Sequence, residues 1–500
     1  MEPTKEQFYL RRIAELEKQN AELLKQNAEL LKQDAELLKQ NAELLKQNTE
    51  FAEQLTKLTQ QVVTLTQQVA RLSKNSSNSS KPPSSDIVKP PKPNNPKGPR
   101  RQGGQLGHKG VTRSPFQAEQ IDRVEELQPT RCPHGHEGRL EPTEQTKVQQ
   151  VAELRQDPLE ITEYRPHACR CSICGELVWA QLPPGVVEGQ LFGPRLQALI
   201  AYMKGSLHAS YTGLEEFCRE VLDINAARSH LCNTIARVSE ALAGPYEELA
   251  KYIPAEPVLN IDESGWKDKG VKYWIWVFCT SAISFFCIAK SRGSKVLEDV
   301  LGKTYDGTIV SDFFSAYVKY ANRLQQFCLA HLIRDIKFLT TLPGETDKRF
   351  GGRLLIDFKR LFHFWHLREK IPKDRFDRIM FRIKGRVLQL AQSYAVGERS
   401  KSRTLARRLV KHGQPIFRFL FDPAVPPTNN AAERGIRTSV IDRRITQGSR
   451  SRMGRQWNAR IWTVLGTCRK QGRSSWQFLQ NALSAHHFQT PAPSLLPQTM

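Results

Sequence analysis

From Ile13 to Leu72, apolar and polar positions repeat every seven residues without a break. Leu16, Leu23, Leu30, Leu37, Leu44, Phe51, Leu58, Leu65 and Leu72 occupy one core position. Ile13, Asn20, Asn27, Asp34, Asn41, Asn48, Leu55, Val62 and Val69 occupy the other, and the block AELLKQN or AELLKQD occurs four times from Ala21. A 3.5-residue apolar period sustained this long predicts a coiled coil, and at ~1.5 Å per residue it spans roughly 90 Å. Polar residues at the first core position cost stability but fix register and strand number, which favours a homodimer. Leucines at the neighbouring e position (Leu24, Leu31, Leu38, Leu45) leave a higher oligomer open. Residues 1–73 are therefore expected to form an oligomerisation helix.

The pattern then stops. Ser73 to Arg113 carries seven prolines and seven serines with almost nothing to bury, so residues 74–113 are expected to form a disordered basic linker. Residues 114–186 are weakly periodic, with TKVQQVAEL and LEITEYRP alternating like strands of a small ribbon. From Gly193 the spacing becomes helical, with one face on Leu196, Leu199 and Ile200 and a second on Leu214, Phe217, Val221 and Leu222. Asp223-Ile224-Asn225, with Asn225 as a cap, precedes a third helix, AARSHLCNTIARVSEAL. Two helices around so short a turn permit a helix-turn-helix over 187–255, with Arg228, Ser229, His230 and Asn233 at its groove-facing start; a packing collar is the equal alternative.

From Glu256 the period is strand-like: PVLNIDES, VKYWIWVFCT, AISFFCIAK and GTIVSD, with a helix from Ser294 to Leu301 before the fourth. Strand-strand-strand-helix-strand is the order of a ribonuclease-H-like fold, so the fold class expected for 256–480 is an α/β core. Residues 327–415 read as basic, aromatic helices and would be an all-α insertion in that core. Residues 481–500, rich in Pro and Gln, read as a loose tail.

Charge changes the picture more than composition does. The chain has 74 Lys and Arg against 51 Asp and Glu, a net +23, and 39% hydrophobic residues. Such an excess points to a polyanionic partner. It concentrates in two runs: Ser73–Arg113, with nine basic residues and one acid, and Phe421–Gln480, with eleven against Asp422, Glu433 and Asp442. Two basic runs favour a phosphate backbone over a membrane surface. The most apolar run, Trp274 to Ala289, is interrupted by Thr280, Ser281 and Ser284, so no membrane span is expected. The opening MEPTKEQFYLRR leads directly into charged helix, which makes a cytoplasmic location the expectation.

In a reducing compartment, clustered cysteines among the ten point to metal. Cys171-Ser-Ile-Cys174 has the form of a zinc half-site, and CPHGH could complete it, giving Cys132, His136, Cys171 and Cys174 as expected Zn²⁺ ligands, with His134 and Cys169 as substitutes. Cys328 and His331, three residues apart, read as packing groups.

The candidate catalytic residues are carboxylates. Asp262 in PVLNIDESGW and Asp312 in GTIVSDFFSAY each follow a β-like apolar run, and Glu433 lies in TNNAAERGIR. Two hard divalent cations (Mg²⁺, with Mn²⁺ as a substitute) held by such a set form a common engine for in-line attack on a phosphodiester. Two alternatives stand beside this. Asn430 and Glu433 also fit a helix capping box, and strand parity does not decide between Asp262 and Glu263. After Glu433 come Arg434, Arg437, Arg443, Arg444, Arg450, Arg452 and Arg455 together with Trp457 and Trp462, a composition suited to phosphate pairing and base stacking.

The linker SKNSSNSSKPPSSD, the element GGQLGHKG, the cysteine segment, FCLAHLIRD and NNAAERGIR, in this order, resemble the insertion sequence 66 family of bacterial DDE transposases over most of the chain. The resemblance implies that Asp262, Asp312 and Glu433 form the catalytic triad. It implies metal-dependent cleavage at the ends of an insertion sequence, followed by strand transfer into target DNA in the bacterial cytosol. It raises the expectation of a zinc site, although CPHGH departs from the pair of cysteines more usual there, and it admits small accessory proteins as partners beside the terminal repeats and target DNA. A nuclease that cuts without joining, or a non-catalytic DNA-bridging protein, would share the basic surface.

Overall fold

A computed structural model describes residues 5–75, 78, 115–127, 134, 148–154, 158–183, 186, 189–320 and 324–497. The chain divides into two compact units, Met1–Pro90 with Leu329–Asp422, and Pro91–Cys328 with Pro423–Met500. The linker and the first half of the expected zinc site, with Cys132 and His136, fall almost wholly outside the described residues.

The heptad segment forms one helix, α1 (Lys5–Leu72). Its leucine seam is exposed: Leu23, Leu30, Leu37 and Leu44 each keep 55–56% of their surface in a single chain. In the second unit, a short hairpin pairs β1 (Ala168–Arg170) with β2 (Leu177–Trp179). This is where the expected ribbon differs. The described parts of TKVQQVAEL and LEITEYRP form no strand, and the hairpin instead flanks Cys171 and Cys174. Alternation in those stretches was misleading because their apolar residues, Val148, Val151 and Ile161, have no core to face and stay exposed.

Helices α2 (Pro194–Ser206), α3 (Tyr211–Leu222), α4 (Arg228–Ala241) and α5 (Ala243–Tyr252) follow. Leu214, Cys218 and Leu222 give α3 its buried face, whereas Val221 stays exposed. Asp223 takes the left-handed conformation that ends α3, and the cap of α4 is Ala227, not Asn225.

The central sheet comprises β3 (Val258–Asp268), β4 (Val271–Cys279), β5 (Ser284–Ala289), β6 (Thr308–Ser311) and β7 (Gln325–Phe327), in the order β5-β4-β3-β6-β7. β3, β4 and β5 pair antiparallel; β6 pairs parallel to β3, and β7 parallel to β6. Helices α6 (Lys295–Leu301) and α7 (Ser315–Tyr320) make the connections. β7 was not expected, and its last residue, Phe327, is where the helical insertion was expected to begin. Its three residues, all buried, are too short for a period to show.

In the first unit, α8 (Leu329–Leu339), α9 (Glu345–His366), α10 (Lys373–Tyr394), α11 (Lys401–Lys411) and α12 (Gly413–Ile416) form an all-helical layer around Phe350, Leu354, Phe358 and Leu361. Asp347 and Asp357 serve that layer, accepting from the Ser402 amide at 2.9 Å and from Arg386 at 2.6 Å.

The chain then returns to the second unit with α13 (Asn430–Thr446), α14 (Arg452–Lys470) and α15 (Ser475–His487). α14 packs along β5, where the Thr463 and Thr467 hydroxyls accept from the amides of Phe286 (2.9 Å) and Ser284 (3.1 Å). Trp457 and Trp462 are buried rather than set on an exposed face, contrary to expectation. The tail is not loose either. Beyond α15, Leu495 is fully buried and Ser494 donates to Glu248 of α5 at 2.7 Å. Among the described residues, no helix is long and apolar enough to cross a membrane.

Candidate active site

Three elements bring acids together. Leu259 and Ile261 are buried in the sheet, which fixes the register of β3, and Asp262 follows them where β3 leaves the parallel pairing with β6. Asp312 is the first residue after β6, next door to β3, and its Oδ1 accepts from the Phe314 amide at 2.9 Å. Glu433 is the fourth residue of α13, in its first turn, where the helix dipole favours negative charge. The charges of Asp312 and Glu433, with that of Glu263, all act on Asp262. Burial first, and these carboxylates next, hold the Asp262 carboxyl well above the ordinary aspartate range.

Glu263 sits differently. Its carboxylate accepts from Arg292 at 2.7 and 3.0 Å and from the Tyr317 hydroxyl, and its side chain is 2% exposed. Arg292 is itself stacked 4.6 Å from the Trp274 ring centre and 4.0 Å from that of Phe314. Burial and then the Asp312 charge raise Glu263, while Tyr317 and Arg292 oppose the shift. Adjacent carboxylates on opposite strand faces thus differ in kind: Glu263 is saturated by protein donors, and Asp262 is crowded by acids.

The position of α13 depends on residues that periodicity did not single out. Asn429, 2% exposed, donates from Nδ2 to the Ile261 carbonyl at 2.8 Å and accepts from Asn260 at 3.0 Å. Its backbone amide donates to Cys328 Sγ at 3.2 Å, and the Cys328 thiol lies 4.0 Å from Glu433 Oε1 as a donor. The capping box is not formed: the cap is Asn429, and its side chain is spent on β3. One turn along, a Cβ on Gly435 would stand 3.1 Å from Cys279 Sγ, so the absence of a side chain lets α13 lie against β4. The adjacent asparagines in TNNAAER were the available signal for this clamp.

Residues 189–456 match the family described as Transposase IS66 family, more than half of the chain. The chain belongs to the IS66 family of transposases. Residues 1–114 match a family of unknown function (DUF6444). An uncharacterized protein, y4jO, of Sinorhizobium fredii (strain NBRC 101917 / NGR234) is 33% identical over 79 residues, 16% of this chain and 25% of that relative, so the chain spans about a quarter of its length.

Within this IS66 chain the arginines after Glu433 divide into two kinds. Arg434, Arg437 and Arg444 are exposed on α13. Arg443 turns inward, bonding the Ser264 hydroxyl at 3.0 Å and the Gly265 carbonyl, and Arg455 pairs with buried Asp268. In the helical segment, Arg228 binds Glu215 at 2.9 Å and Thr212 at 3.0 Å, locking α4 to α3, while Asn233 is exposed. At the β1–β2 hairpin, Cys171 and Cys174 share one turn. Backbone N–H groups of Cys174 and Ile173, then the Cys174 side chain, draw the Cys171 thiol below its ordinary range.

Proposed function

We propose that this protein is a DDE-type DNA transposase that cleaves the ends of an insertion sequence and joins them to target DNA, with Asp262, Asp312 and Glu433 as its catalytic acids. The observation that carries this is that the carboxylates of Asp312, at the end of β6, and Glu433, on α13, bear electrostatically on Asp262 of β3 in a chain of the IS66 family. The sheet order β5-β4-β3-β6-β7, with only β6 and β7 parallel to β3, supports a ribonuclease-H-like core with the α8–α12 layer as its insertion.

The donor set fits divalent metal. Three hard oxygen donors bear on one another here, with Asp262 raised by burial and then by its neighbours' negative charge, and two Mg²⁺ ions match that chemistry. When bound, such cations make a water or a 3′-hydroxyl more acidic and offset charge on the scissile phosphate. The chain's own contribution is placement. Asn429 and Gly435 fix α13 against β3 and β4, which presents Glu433 to the two aspartates. Arg292 and Tyr317 fix the Glu263 carboxylate, whose charge also acts on Asp262, as a positioning group.

DNA would be held by the exposed Arg434, Arg437 and Arg444, and by Arg228 and Asn233 at the start of α4. Arg443 belongs to the support of β3. Cys171 and Cys174, with the lowered Cys171 thiol, suit two positions of a tetrahedral Zn²⁺ site that Cys132 and His136 would complete. The exposed seam of α1 suits a homodimer or higher oligomer holding two element ends together.

The test is a plasmid assay with purified protein, the gene's own flanking DNA as donor, and Mg²⁺ present or absent, with ends mapped by sequencing. Expected are Mg²⁺-dependent 3′-hydroxyl ends joined to new DNA. Glu433→Gln should lower this at least about a thousandfold, the several kcal/mol that metal-assisted charge stabilisation supplies, while end binding persists. Transfer retained in Glu433→Gln would overturn the triad. Nicked ends that are never joined would mark a nuclease.

A further inference from the structure

A cleft of the second unit, about 750 Å³, lies between α2–α4 and the segment from α13 into α14. Its composition is mixed in a specific way. Tyr211, Ile445 and Met453 line it with apolar surface, and the last two are 51% and 59% exposed, large apolar side chains left in solvent at its wall. Arg450 and Arg228 bring positive charge, and Gln456 and Asn458 bring paired donors and acceptors. Two acids also line it. Asp442 is engaged by His208 at 3.4 Å, and Glu240 lies exposed on α4.

The wall carrying Arg450 is rigid. Ser449 accepts at its carbonyl from the Lys269 amide (3.0 Å), donates from its amide to the Lys267 carbonyl (2.9 Å), and its hydroxyl joins Trp266 and Asp268. A Cβ on Gly448 would sit 2.1 Å from the Lys267 carbonyl oxygen, at φ +119°, so only glycine allows this approach. The loop between α13 and α14 is thereby pinned to the β3–β4 hairpin, and the cleft is preformed.

Resting on the transposase reading, we propose that this cleft receives one unpaired base of the element-end DNA. A cavity of this size is in the range of small-ligand sites and is far too small for a duplex. Apolar and aromatic walls suit a base plane, amide side chains suit a base edge, and guanidiniums at the walls suit the flanking phosphates. Position sharpens the proposal. Asp442, which lines the cleft, lies nine residues along α13 from Glu433, roughly 14 Å at the helical rise. At about 3.4 Å per nucleotide, the captured base lies roughly four nucleotides from the phosphate at the carboxylates.

The experiment measures binding of full-length protein to duplex ends in EDTA, with a single mismatch moved through the first eight positions, and cleavage of the same duplexes in Mg²⁺. Unpairing a base costs a few kcal/mol, and a mismatch removes that cost in advance. Binding should therefore tighten about tenfold or more at one position near the fourth, and at no other. Met453→Glu and Asn458→Ala, at partly exposed sites, should abolish the preference while changing affinity for paired ends less than about threefold. Equal binding at all positions, with cleavage intact, overturns the cleft and leaves the transposase reading standing. A preference unchanged in both variants also overturns it. A position-specific preference in protein that fails to cleave supports the cleft and counts against the catalytic reading.

Discussion

Asp262 carries a tension between stability and chemistry. Its carboxyl is raised by burial and by Glu263, Asp312 and Glu433, so the ionised form is disfavoured in the folded metal-free protein. Between the ordinary aspartate range and the raised value, the folded state binds more protons than the unfolded one. Stability of metal-free protein therefore falls as pH rises through that window. Asp262→Asn keeps an oxygen for the Glu263 amide, now bonded at 2.9 Å to Oδ1, and removes the charge. At pH 8 in EDTA the variant should be more stable by about 1 kcal/mol, on the order of other relieved functional-site strains, with a flatter pH dependence and no strand transfer. Denaturant titration at several pH values checks this, and a variant less stable than wild type would contradict it. The arginines of α13 give a second contrast. Arg434→Ala should leave stability unchanged, weaken binding to all DNA sequences alike, and reduce the slope of log affinity against log salt by about 1. Arg443→Ala should instead cost about 1–3 kcal/mol, because Ser264 and Gly265 lose their partner. Salt titration and thermal unfolding of both variants separate the roles.

At the scale of elements, α13 is the piece that completes the acid cluster, and Asn429 ties it down. Removing the Asn429 amide leaves the Ile261 carbonyl and Asn260 without their buried partner. Asn429→Ala should then cost about 1–3 kcal/mol and lower cleavage more than it lowers end binding, as thermal unfolding and single-turnover cleavage would show. The same helix shows what the sequence could and could not convey. The strands before the two aspartates were legible because apolar runs mark them, although Asp262 lies inside β3 rather than at its end. The clamp was not, since an asparagine reaching 168 residues back to a strand carbonyl leaves no periodic trace. Trp457 and Trp462 misled for a related reason. The arginines preceding them suggested a nucleic-acid face, but both tryptophans fall on buried positions of α14, and helical phase outweighs composition. β7 escaped because three residues cannot display a pattern, and the β1–β2 hairpin because turn-forming cysteines, not alternation, define it.

At the scale of the whole molecule, the longest element contributes least to the fold of a single chain. Leu23, Leu30, Leu37 and Leu44 of α1 remain more than half exposed, so a lone chain gains little from them. A helix with a continuous apolar seam is stabilised in water by partners. Replacing Leu30, Leu37 and Leu44 with glutamate in the full-length chain isolates this contribution, because these residues have nothing to lose in a monomer. Each buried leucine contributes about 1.5–3 kcal/mol on association, so three substitutions should weaken self-association by at least about a thousandfold. Sedimentation should then report a monomer at micromolar concentration, with thermal unfolding of the sheet-containing unit unchanged. Binding to one isolated end should persist, and products that need both ends at once should disappear. An unchanged sedimenting mass would place self-association elsewhere in the chain and leave α1 with another role. Loss of single-end binding would make α1 part of the DNA contact itself.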